Sequence, residues 1–271
     1  MWIDSHCHLD ASEFNGQALQ LADDARQKGV RAIVIPAVHR QQFAQVIELA
    51  MQREDCFFAL GIHPLFVATS KEEDLVFLRS ELMRLLSEPT LGRRLVAVGE
   101  IGLDFFVPEL KQTPLREKQE FFYREQLKIA RDLSLPVILH VRQAQDQILK
   151  YLRQIHVTSG IAHAFNGSLQ QAERFIAMGF KLGFGGAMTY TRALQIRRLA
   201  TQLPLETIVL ETDAPDIAPS WCDTGLNTPD QLGAIGAVLA DLRSSSVELI
   251  AHHTTQNVLA ALPRLQLLSS D

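Results

Sequence analysis

Leu95-Val96-Ala97-Val98-Gly99-Glu100 runs for five residues without a polar side chain and then closes on a carboxylate. Such a run is short for a helix and does not alternate. That is the pattern of a strand covered on both faces, as in a parallel sheet. It recurs in Ala32-Ile33-Val34-Ile35-Pro36, Val137-Ile138-Leu139 and Ile208-Val209-Leu210. With weaker runs included, strands are expected to begin near Trp2, Ala32, Phe57, Leu95, Pro136, Gly160, Lys181 and Thr207.

Helical stretches lie between them. Ser70 with Glu73 predicts a capping box ahead of Leu75, Leu78, Leu82 and Leu85. Pro114 suits the first turn of a helix whose apolar stripe includes Leu115, Phe122, Ile129 and Leu133. Further helices are expected over 17–28, 40–52, 143–154, 168–178, 191–202, 229–242 and 246–260, with Gly29 and Gly179 as C-terminal caps. Eight strands alternating with helices predict an α/β fold, a (β/α)8 TIM barrel in a single domain over 1–264. Residues 265–271 read as a C-terminal tail that frays. A doubly wound open sheet is the alternative.

At 271 residues and 47% hydrophobic, the chain can bury the core of one such barrel. A net charge of -5 gives no global attraction for nucleic acid, so a phosphate-binding role needs a local positive site, which bound metal ions can supply. Three cysteines are too few for a disulfide scaffold, and their odd number points to reduced thiols and a cytoplasmic protein. There is no signal-peptide pattern, and no run approaches the ~18 apolar residues of a membrane span. Neither a membrane nor an obligate protein partner is indicated.

The strand ends carry the chemistry. His6 and His8 are two apart, so on a strand both face one way and reach one ion, leaving Cys7 toward the helices. Glu100 ends the Leu95 run, and a carboxylate there can bridge two ions through its two oxygens. His140 follows Pro136-Val137-Ile138-Leu139, and His163 follows Gly160-Ile161-Ala162, both at C-terminal strand ends, where barrel active sites are built. Asp213 closes Glu211-Thr212-Asp213 and suits both metal binding and proton acceptance from water. Glu211 shares its face by alternation, and the motif alone does not separate the two. Four histidines, a glutamate and an aspartate suffice for a two-metal hydrolytic centre.

Six motifs extend the pattern: His6-Cys7-His8-Leu9-Asp10, Gly61-Ile62-His63-Pro64, Gly99-Glu100-Ile101-Gly102-Leu103-Asp104, His140-Val141-Arg142, His163-Ala164-Phe165-Asn166-Gly167 and Glu211-Thr212-Asp213-Ala214-Pro215. In this order the chain resembles the TatD family of metal-dependent deoxyribonucleases over nearly its whole length. It departs at Val141 and Asn166, where many members have serine. The resemblance implies an amidohydrolase-superfamily TIM barrel. It also implies that His6, His8, Glu100 and Asp213 hold one divalent ion while Glu100, His140 and His163 hold a second.

Around these ligands, His63 is expected to contact a substrate phosphate or to serve its turn. Arg142 either clamps a phosphate oxygen or pairs with a carboxylate, and Asp104 either orients a ligand histidine or caps the next turn. Arg192, Arg197 and Arg198 read as a solvated helix face rather than a nucleic-acid guide. Phe105, Phe106, Tyr190 and Trp221 read as packing before base stacking. Asn227-Thr228-Pro229 resembles a family loop of unassigned role, and His39, His156, His252 and His253 read as bystanders.

The expected function is metal-dependent hydrolysis of DNA phosphodiesters, 3′→5′ exonuclease-like, by a metal-activated water with Asp213 as base and Glu100 bridging. Two divalent ions would sit about 3.5–4 Å apart. Imidazole-rich ligation favours Zn²⁺, Mn²⁺ or Fe²⁺, although the family is often described as Mg²⁺-dependent. An amidohydrolase or lactonase using the same site is the alternative.

Overall fold

A computed structural model of the protein describes residues 1–223 and 225–267. Its eight strands are β1 (Trp2–Asp4), β2 (Val30–Pro36), β3 (Cys56–Leu60), β4 (Leu95–Asp104), β5 (Val137–Arg142), β6 (Gly160–Ala162), β7 (Phe180–Phe184) and β8 (Ile208–Leu210). They pair in sequence order, each parallel to the next. Between the ends of the sheet, Ser5 N donates to Leu210 O at 3.2 Å and Asp213 N to His6 O at 2.8 Å, so the ring is nearly closed. The fold is the expected TIM barrel, and these bonds exclude the open sheet.

The helices are α1 (Ala18–Gln27), α2 (Phe43–Met51), α3 (Glu72–Ser87), α4 (Pro89–Gly92), α5 (Leu115–Asp132), α6 (Gln145–Gln154), α7 (Leu169–Ala177), α8 (Leu194–Gln202), α9 (Leu232–Leu242) and α10 (Val247–Ala261). Gly29 and Gly179 stand just beyond α1 and α7 with φ near 87° and 85°, as helix-ending glycines do.

Two expectations are corrected at helix starts. Lys71, not Ser70, precedes α3. Its backbone N–H donates to Asp74 at 2.8 Å, while the Ser70 hydroxyl is taken by Phe66 O at 2.8 Å in the preceding turn. Pro114 sits one residue before α5 rather than inside its first turn.

The core has two layers. The larger lies between barrel and helices and takes in Cys7, Phe58, Leu60, Phe122 and Leu127. The smaller fills the bore with Ile3, Val34, Phe57, Ala59, Val96, Ile138 and Val209, and Val258, Ala261 and Leu262 close its floor. The tail read over 265–271 falls partly outside the described residues. Within it Leu265 is buried and Leu267 packs on the same floor, so these two do not fray. Among the described residues no helix is long and apolar enough to cross a membrane.

Candidate metal centre

All six expected ligands converge at the C-terminal end of the barrel. Their delivery differs from expectation at two places. His6 and His8 lie beyond β1, which ends at Asp4, in an extended continuation. Cys7 N donates to Val34 O at 3.0 Å and His8 N to Ala214 O at 2.8 Å, and this continuation points both rings inward. β8 likewise ends at Leu210, and Asp213 adopts a left-handed φ of 55°, so strand alternation no longer applies there.

That turn separates Asp213 from Glu211. Asp213 Oδ1 lies 3.5 Å from His6 Nε2 and 3.7 Å from His8 Nε2. Glu211 points behind the cluster. It accepts Ala164 N–H and, at 3.5 Å, the Ser5 hydroxyl, and it stands 3.7 Å from His163 Nδ1. Gly183 makes room for it, since a Cβ there would collide with the Glu211 carboxylate.

Glu100 is the centre. Its Oε2 lies 3.2 Å from His6 Nε2 and 3.5 Å from His8 Nε2. Its Oε1 lies 2.8 Å from His163 Nε2, 3.1 Å from His140 Nδ1 and 3.3 Å from His63 Nε2. The two oxygens thus face different sets of ring nitrogens. His140 is held from behind by Asp104, whose Oδ2 is 3.0 Å from His140 Nε2. Register places Gly102 opposite His140, and a side chain at Gly102, whose φ is 152°, would strike the His140 carbonyl.

Electrostatics follow from this packing. Burial works against charge on His163, but Glu100 and Asp213 outweigh it and hold its pKa well above the ordinary value. Burial also opposes charge on Glu100, yet His63, His163 and His6 keep it ionised, well below the usual range. Burial drives His6 well down and His63 to about 4, so both rings are neutral, whereas for His140 the Asp104 and Glu100 carboxylates overcome burial and raise the pKa. Burial lifts Asp213 to about 6.

Three sets of donors lie close enough to hold an ion: His6, His8 and Glu100; His6, His163 and Asp213; His63, Glu100 and His140. His6 Nε2 and His8 Nε2 approach to 3.2 Å, and His6 Nδ1 is buried without a partner. Buried nitrogens turned toward one another around a carboxylate fit a cation between them. The donor set therefore suits divalent metal.

His63 serves its turn, with Nδ1 accepting from Leu65 N at 3.2 Å, and also meets Glu100. Asp104 fills both of its expected roles, since Oδ1 accepts from Phe106 N at 2.8 Å and Val107 N at 3.0 Å. These amides and the His140 ring overcome burial and hold its pKa at about 2. Arg142 stands half-exposed, 3.9 Å from Asp104. Arg197 is tied to Met188 O at 2.9 Å and Arg198 to Gln202 at 3.2 Å, both off the site. Asn227 is buried and donates to Thr212 O at 2.6 Å and Asp216 O at 3.1 Å, fixing the loop that carries Asp213.

Sequence reasoning passed over Asp4. It is fully buried, and its carboxylate accepts from the Thr212 hydroxyl at 2.6 Å, Thr212 N at 3.0 Å and His6 N at 3.3 Å. It thereby locks the His6 segment to the Asp213 segment. The available signal was an acid inside the apolar start of the first strand.

A family model described as TatD related DNase matches residues 3–263. A metal-dependent hydrolase of Escherichia coli K12 called YjjV, described as uncharacterized, is 39% identical over 257 residues, covering 94% of this chain and 95% of its own. An uncharacterized metal-dependent hydrolase of Haemophilus influenzae is 36% identical over 260 residues, covering 94% and 97%. The crystal structure of the E. coli YjjV TatD homolog superimposes with a TM-score of 0.89 at 38% identity, covering 97% of this chain and 98% of that one.

Proposed function

The chain belongs to the TatD-related DNase family and is a metal-dependent hydrolase, and from that premise we propose that it cleaves phosphodiester bonds of DNA, acting from a 3′ end. The observation that carries this reading is the division of Glu100, whose Oε2 faces His6 and His8 while Oε1 faces His140 and His163. In this proposal His6, His8, Asp213 and Glu100 would hold one divalent ion, and Glu100, His140 and His163 would hold a second. Bound divalent ions supply Lewis-acid stabilisation of phosphoryl oxygens and an acidified water.

The chain's own groups do the rest. Burial lifts the Asp213 pKa to about 6 in the metal-free protein, and in this proposal its carboxylate would accept the proton of the attacking water. Asp104 would keep a proton on His140 Nε2, leaving Nδ1, 3.1 Å from Glu100 Oε1, as the ring nitrogen available to an ion between them. The Leu65 amide keeps a proton on His63 Nε2, leaving that N–H to hold Glu100 and a phosphate oxygen. Arg142 binds a second phosphate oxygen. The nitrogen-rich donor set favours Zn²⁺, Mn²⁺ or Fe²⁺ over Mg²⁺.

The test is hydrolysis of 3′-labelled single-stranded DNA by metal-stripped protein to which Mg²⁺, Mn²⁺ or Zn²⁺ is restored, with Glu100→Ala alongside. Metal-dependent release of nucleotides that disappears in the variant supports the proposal. Silence with every ion, in a protein that still binds metal tightly, rejects it and points to amides and lactones.

A further inference from the structure

We infer that Phe106 is a positioning residue that presets Arg142 as the anion clamp of the site, an inference that rests on the phosphodiesterase reading. Arg142 ends β5 directly opposite Asp104 of β4. Its side chain is 50% exposed, so neither burial nor dense packing fixes it. A long, exposed arginine ordinarily loses much rotamer freedom when it binds an anion, and that cost weakens binding.

Two contacts reduce that cost here. The guanidinium carbon lies 3.8 Å from the centre of the Phe106 ring, within stacking range. One guanidinium nitrogen lies 3.9 Å from Asp104 Oδ2, too far for a hydrogen bond but close enough to orient the charge. No hydrogen bond from the guanidinium to protein is present among the described residues, so its N–H groups remain available to a ligand. The stacking is an electrostatic contact through the ring face, which leaves the in-plane donors free.

Phe106 is itself held in place. Its backbone N–H donates to Asp104 Oδ1 at 2.8 Å, and the neighbouring Val107 N–H donates to the same oxygen at 3.0 Å. Phe105 N donates to Arg142 O at 2.8 Å, so the turn bearing the ring is also bonded to the strand bearing the guanidinium. The other Asp104 oxygen holds His140. A single buried carboxylate therefore sets the metal-facing histidine, the Phe106 turn and the bearing of Arg142 in one frame.

The experiment is a double-mutant cycle on the metal-loaded enzyme with bis(4-nitrophenyl) phosphate. Phe106→Leu keeps an apolar side chain but removes the ring face. It is expected to raise KM about three- to five-fold, the upper part of the range of an exposed cation–π contact, with kcat little changed. Phe106→Tyr, which keeps the face, is expected to restore wild-type KM. In an Arg142→Ala background, Phe106→Leu is expected to add no more than about a two-fold effect, because its only route to the substrate is gone. Full additivity, an unchanged KM in Phe106→Leu, or failure of Phe106→Tyr to rescue overturns the inference. Turnover by the wild type separately reports on the phosphodiesterase reading, and its complete absence overturns both.

Discussion

At the scale of single residues, Asp213 gives a prediction whose sign is set by burial. Its folded pKa of about 6 lies above the ordinary value of 3.8, so its contribution to stability is present at low pH and is lost as pH rises through 6. Asp213→Asn should therefore stabilise the metal-free protein above pH 7, by at most roughly 3 kcal/mol, and do nothing near pH 4. Thermal melts of the EDTA-treated pair at the two pH values check this. The same variant should lose hydrolysis at every pH, since the proton acceptor is gone. Cysteine gives a simpler count. Cys7 and Cys56 are buried, with burial raising Cys7 well above its normal pKa and Cys56 to about 12, whereas Cys222 is partly exposed. A thiol reagent should label one cysteine in the native protein and three after denaturation. At this scale the ligands were legible because each is a histidine or acid at the end of an apolar run. The choice between Glu211 and Asp213 was not, because it depends on a left-handed turn that no two-residue period encodes.

At the scale of an element, α5 shows why a correct pattern can still hide its content. Its apolar stripe was read through Leu115, Phe122, Ile129 and Leu133, and the helix is there. Gln119 and Gln126 lie seven apart on the same face and are fully buried. Gln119 takes the Asp104 N–H at 3.0 Å and gives an N–H to Leu110 O at 2.6 Å, and Gln126 brackets Ile62 through bonds of 2.7 and 3.0 Å. Each amide stands in for a missing strand neighbour, Gln119 at the end of β4 that carries Asp104 and Gln126 beside the loop that carries His63. An apolar period scores these positions as interruptions, and only the three-dimensional neighbour makes them sensible. Gln126→Leu should leave the Ile62 backbone groups unpaired and lower stability by about 1–3 kcal/mol, read as a shift in the urea midpoint. Its effect on hydrolysis should exceed its effect on metal affinity, since it disturbs His63 more than the metal-facing residues.

At the scale of the whole molecule, metal and fold are linked. Ligands gathered from the ends of five of the eight strands should tie the barrel mouth together, so ions that bind only the folded chain raise its melting temperature. At a free ion concentration about 100 times Kd the gain is about 2.7 kcal/mol, and Glu100→Ala should abolish most of it. Scanning calorimetry with and without added Zn²⁺ or Mn²⁺ measures the difference. The barrel itself was legible because eight apolar runs alternating with helices allow few arrangements. Its floor was not. Leu265 reads as tail, and only closure of the ring creates the hollow that it, Val258 and Leu262 fill.

That floor has a consequence for how the protein is made. The bore residues Ile3, Val34 and Phe57 are synthesised first, and the side chains that seal them come last. A nascent chain halted at Leu242 has every strand and every metal-facing residue, yet its bore is still open to water. Such a chain should expose apolar surface to chaperones and to other unfinished copies until the α10 segment and Leu265 can pack beneath the bore.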